Sequence, residues 1–137
     1  MVAYSFQKRF APPILEDTKT GTIRAPRKRH AREGEALQLF TGMRTKHCQK
    51  IMGDVKCAFV EPITFEVTDR RLHMVEIGIP RWLLHPHGED LFARMDGFDD
   101  MADMAGFWSQ THGIGRFVGF WIGWKHWHRS ELARFLQ

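Results

Sequence analysis

Apolar and polar positions alternate through much of the chain. Tyr4–Gln7 reads as a short first strand. Thr20–Arg24 is rich in β-formers, and Leu37 and Leu39 alternate within Ala36–Phe40. Ile51, Gly53, Val55, Cys57 and Phe59 share one face of an expected strand over Lys50–Val60. Pro62 is expected to interrupt it before Ile63, Phe65 and Val67 resume. Asp69–Arg70 suggests a turn, and Arg71–Ile79 a return strand stopped by Pro80. Arg116–Trp124 is apolar at successive positions, the pattern of a central strand covered on both faces.

The period changes to helical in two places. Pro12 and Pro13 suit a first turn, predicting a short helix over Ala11–Asp17. From Gly88 to Gln110 two helices are expected. The first carries Leu91, Phe92 and Met95 on one face and stops at Asp96–Gly97. Asp99 or Asp100 caps the second, where Met101, Met104, Ala105 and Trp108 recur at helical spacing. Ser130–Gln137 suggests a further short helix. The sum is α+β: strands able to close into a small β-barrel, flanked by short helices, in one domain spanning 1–137.

Composition supports an aromatic core, with eleven Phe and five Trp among the 137 residues. No apolar run is long enough for a membrane span, and Met1–Phe10 lacks the apolar stretch of a signal peptide. A cytoplasmic location is expected, with Cys48 and Cys57 as free thiols. Charge matters through its placement. Arg24, Arg27, Lys28, Arg29 and Arg32 fall in one short stretch, with Arg44 and Lys46 after it, while acids gather between Glu89 and Asp103. The basic set fits phosphate contacts in RNA and fits equally a solvated loop. His85 and His87, like His126 and His128, are paired without a third ligand at usable spacing, so neither a metal nor another cofactor is expected. Trp121 reads as strand core, with Trp124 and Trp127 packing a tail; an exposed Trp pair would instead suggest a homodimer contact.

The run Ser5-Phe6-Gln7-Lys8-Arg9-Phe10, then Ile14-Leu15, then Lys19-Thr20-Gly21-Thr22-Ile23-Arg24 resembles the ASCH family of PUA-like barrels. Lys19, Thr22 and Arg24 match its Gly-x-Lys-x-x-Glu/Thr-x-Arg signature; Asp17 stands at the glycine position. The segment is most similar to small bacterial ASCH amidohydrolases that cleave N4-acetylcytidine. That resemblance implies Lys19 as general base, Thr22 as nucleophile, and Asp96 of Asp96-Gly97-Phe98 in place of an assisting Glu. The likeness stops near Lys125, leaving a short extra tail.

A threonine hydroxyl needs a base, and a lysine serves only when neutral, which burial and a nearby Arg24 favour. If Thr20–Arg24 is extended, Thr20, Thr22 and Arg24 share a face, and Lys19 must be brought round by a turn. Arg24, Thr20 and Phe98 are then expected to hold substrate, with Phe40 and Trp82 as further candidates to stack on a base. Three activities stay open: hydrolysis of an N4-acylated cytidine or related modified nucleoside, non-catalytic binding of RNA or a nucleotide, and ribonuclease action. From the residues alone, Lys19, Thr20 and Thr22 are also ordinary capping and strand residues.

Overall fold

A computed structural model describes all 137 residues. It contains nine strands in two sheets and three short helices, a mixed α+β arrangement. In the first sheet, β1 (Val2–Phe6) lies parallel to β3 (Ala36–Thr41), in register from Val2 opposite Leu37 to Phe6 opposite Thr41. Alternation sends Val2, Tyr4, Phe6, Leu37 and Leu39 inward. The short strands β4 (Gln49–Lys50) and β5 (Val55–Lys56) pair along the other side of β3.

The second sheet has the order β2-β9-β6-β7-β8. Here β2 is Gly21–Arg24, β6 Phe59–Val67, β7 Leu72–Ile77, β8 Trp82–Leu83 and β9 Gly115–Gly123. The long β6–β9 ladder runs from Phe59 opposite Gly123 to Val67 opposite Gly115. The sheets share a core but do not close into a barrel, since no ladder joins the two edge strands β1 and β2.

Two strand expectations are corrected. Lys50–Val60 is not one strand: the chain leaves the first sheet after β5, and the Ala58 amide already donates to Gly123 O on β9 at 2.8 Å. Its alternation is genuine, but it spans a change of sheet. Pro62 does not interrupt β6. Its carbonyl accepts from the Gly78 amide at 2.9 Å, so its nitrogen faces the same side, where the β7 ladder has ended at Ile77. Within β9 only the second half is fully covered; Val118 is exposed, whereas Trp121 and Ile122 are buried.

The helices are α1 (Ala11–Leu15), α2 (Glu89–Met95) and α3 (Met101–Thr111). Pro12 and Pro13 occupy the first turn of α1, where a missing N–H costs nothing. Asp100 caps α3 by accepting from the Asp103 amide at 2.8 Å. Gly97, at φ +93°, turns the chain between α2 and α3. The tail is part of the core: Trp127, Leu132 and Leu136 are buried, and Glu131–Phe135 forms a 3-10 turn in place of an α-helix. Trp121, Trp124 and Trp127 are all buried, so the exposed pair that would suggest a dimer contact is missing. No helix is long and apolar enough to cross a membrane.

Candidate functional site

The crossover from β1 to β3 carries α1 and β2 with it, and β2 joins the second sheet. The C-terminal end of β1 and the edge strand β2 therefore flank a seam. The α2–α3 turn and one face of α3 cover it. The seam opens as a cleft of about 210 Å³ lined by residues from all four, among them Gln7, Lys19, Thr22, Arg24, Asp96 and Phe98. That is smaller than the space a drug-sized ligand occupies, and suits one small ring system.

Lys19 is 3 % exposed and Asp96 5 %. The Lys19 Nζ donates to the Asp96 backbone oxygen at 2.6 Å and to Asp96 Oδ1 at 3.0 Å. The amine also lies over the rings of Phe10, at 4.9 Å, and Phe6, at 5.4 Å. The turn enforces this contact. A Cβ on Gly97 would fall 2.7 Å from Lys19 Cδ and 3.0 Å from Phe10 Cδ1. On the other side of the cleft Arg24 Nε donates to Thr22 Oγ1 at 2.9 Å, and its NH2 group donates to Ser5 O across the seam at 2.7 Å. Thr22 is buried, and its hydroxyl proton has no acceptor.

Burial dominates the electrostatics. It holds Lys19 below the ordinary lysine range, against the attraction of Asp96, and Arg24 and Arg9 lower it further. Burial likewise raises the Asp96 carboxyl, against the pull of Lys19 and Arg24. With all three groups ionised, Lys19, Asp96 and Arg24 carry one excess positive charge; with Lys19 neutral they carry none. Burial pulls the set toward the second state, and the Asp96 carboxylate pulls it toward the first. A neutral Lys19 can keep both hydrogen bonds to Asp96 and still direct its lone pair elsewhere. The chain thus holds a candidate base, a hydroxyl and a guanidinium in one cleft. No hydrogen bond joins Lys19 to Thr22, so a proton passing between them needs a bound water or substrate.

The remaining expected residues are placed unevenly. Thr20 precedes β2, held by Met95 O and the Trp124 amide, and lines a separate cleft with Leu91, Met95 and Arg129. It lies outside the cleft that Thr22 and Arg24 line. Phe98 lines the cleft but is buried between Phe10 and Phe107, at ring separations of 5.3 and 5.2 Å. Phe40 and Trp82 lie outside the cleft; Trp82 packs on Trp127.

Arg27, Lys28, Arg29 and Arg32 are exposed on the loop after Arg24, but the loop is tethered. Arg27 lies 4.6 Å from the Tyr4 ring centroid, and the Tyr4 hydroxyl bonds His30 Nδ1 at 2.9 Å. Glu35 takes up much of the local charge, pairing with Arg29 and, at 2.9 Å, with the Met1 ammonium; these contacts lower its carboxyl to about 2. Arg44 and Lys46 are exposed on a loop beside a second, shallow cleft that shares Ser5, Phe6 and Gln7 with the first.

The cleft also takes Phe107, Trp108 and His112 from α3 and its C-terminal end, to which the sequence assigns no site role. Trp108 was read only as core. His112, four positions later on α3, stacks on it with a centroid separation of 4.1 Å. An aromatic and a histidine at i, i+4 on one helix face is the signal that identifies the pair.

The fold and site define an α+β protein with a buried lysine–aspartate pair beside an arginine-clasped threonine. No family model matches the chain, and neither a curated protein nor a solved structure does.

Proposed function

We propose that this chain is an ASCH-like amidohydrolase of the PUA-like class, removing the acyl group from an N4-acylated cytidine or a related modified nucleoside. The observation that carries the reading is the convergence of Lys19, Thr22, Arg24 and Asp96 on one small cleft, with the lysine amine buried and biased toward its neutral form. The ASCH resemblance of the Lys19–Arg24 segment supplies the substrate class.

In this mechanism the Lys19 amine takes the Thr22 proton, relayed by bound water or substrate, and Oγ1 attacks the acyl carbonyl carbon. Arg24, already bonded to Oγ1, stabilises charge developing there and on the carbonyl oxygen. The carbon–N4 bond breaks, and the departing amine recovers the proton from Lys19, with Asp96 orienting the ammonium. Water then cleaves the Thr22 ester.

Incubation with N4-acetylcytidine, followed by chromatography for cytidine, tests this. The wild type should release cytidine, and Lys19→Ala and Thr22→Ala should not. A wild type inert on acetyl and larger acyl groups overturns it.

A second reading is favoured by one contact. Lys19 bonds both the backbone and the side chain of Asp96, which suits a clamp holding the α2–α3 turn over β2. The cleft would then bind a base without chemistry, and Arg27, Lys28, Arg29, Arg32, Arg44 and Lys46 would hold the phosphates of RNA. Binding of that kind weakens steeply with salt, as would capture of RNA by a ribonuclease, whereas nucleoside hydrolysis barely responds.

A further inference from the structure

We propose that His112 is a second general base in this cleft, accepting a proton at Nε2 from the water that cleaves the acyl–Thr22 ester. The inference rests on the amidohydrolase reading and assigns the second half-reaction, for which Lys19 and Thr22 provide no water-facing base.

The tautomer of His112 is fixed by its neighbour. Thr111 Oγ1 lies 2.7 Å from the Phe107 carbonyl oxygen, which has no proton to give, so the threonine hydroxyl donates there. Its oxygen, 2.8 Å from His112 Nδ1, can then only accept, and Nδ1 carries the hydrogen. Nε2 is left with its lone pair and no hydrogen-bond partner. The ring is stacked on Trp108 at 4.1 Å with Phe117 edge-on at 6.2 Å, which fixes its plane. His112 lines the same cleft as Thr22 and is itself solvent-exposed, so it stands where water enters.

Partial desolvation of the ring, stacked on Trp108, lowers its pKa below the ordinary histidine value. No charged neighbour contributes to that shift.

The step balances. Water oxygen bonds to the ester carbonyl carbon as its proton moves to Nε2. The carbon–Oγ1 bond breaks, the imidazolium returns the proton to Oγ1, and the carboxylic acid leaves.

The test is rapid-quench kinetics with N4-acetylcytidine, with mass spectrometry of the quenched protein. In His112→Ala the first turnover should keep its wild-type rate, steady-state turnover should fall about 10²-fold, and protein acylated on Thr22 should accumulate. Thr111→Val keeps the imidazole but frees its tautomer, and should give a weaker version of the same burst. If the wild type turns over and both variants match it, or if first and later turnovers fall equally, His112 has no such role. A wild type that releases no cytidine overturns this proposal together with the reading beneath it.

Discussion

Removing one partner of the Lys19–Asp96 pair should reveal opposite pH dependences in the two single variants. Both groups are nearly inaccessible and 3.0 Å apart. Loss of one partner leaves a buried charge uncompensated, at a cost of about 3–5 kcal/mol, or roughly 10 °C in Tm for a chain of this size. In Asp96→Asn the survivor is Lys19, held below the ordinary lysine value of 10.5. The folded state then binds fewer protons than the unfolded one between those two values, so stability rises with pH across that window. In Lys19→Met the survivor is Asp96, raised above the ordinary aspartate value of 3.8. Here the folded state binds more protons, and stability falls as pH rises from that value through the raised one. Urea denaturation of wild type and both variants, at intervals from pH 3 to pH 11, takes in both windows and measures the slopes. Parallel curves, or variants within about 0.5 kcal/mol of wild type throughout, would refute the account, since surface substitutions alone reach that size.

Three further outcomes are expected. Gly97→Ala should destabilise the protein by about 1–3 kcal/mol, because the residue sits at φ +93° and the new methyl meets Lys19 and Phe10; thermal denaturation reads it. On the amidohydrolase reading, Arg24→Lys should lower hydrolysis about 10²-fold in steady-state assays with the fold retained by circular dichroism, since a lysine cannot reproduce the paired donors to Thr22 and Ser5. Glu35→Gln frees Arg29 and the Met1 ammonium; on the RNA-binding reading, affinity in low salt should rise and the log–log salt slope should steepen by about one. An unchanged slope would remove that loop from any phosphate contact.

The sequence was most readable where one local rule acts alone. Alternation located β1 and β3, the proline pair located α1, and the Asp96–Gly97 stop located the turn that covers the cleft. It was least readable where two sheets compete for one stretch of chain. The period-2 pattern through Ile51–Phe59 is continuous because both sheets need it, although the hydrogen bonds change partner at Ala58. Pro62 misleads for a related reason: whether a missing N–H matters depends on a neighbouring strand whose end the sequence does not mark. Within the cleft, the Lys19–Asp96 contact spans 77 positions and no periodicity implies it; the family resemblance alone drew the two together. Thr20 went astray because alternation was extended past the start of β2, into a residue whose backbone is held by Met95 and Trp124.

The pairing of β2 has a consequence for synthesis. Its only ladder partner is β9, with Gly21 opposite Gly123, so the strand carrying Thr22 and Arg24 waits for about a hundred further residues before it has a neighbour. During translation Lys19 leaves the ribosome before Asp96, and β9 later still. Until β9 emerges, the nascent chain exposes an unpaired edge and a solvated lysine of ordinary basicity. The depressed lysine is a property of the finished molecule, acquired in the step that docks the first strands onto the last.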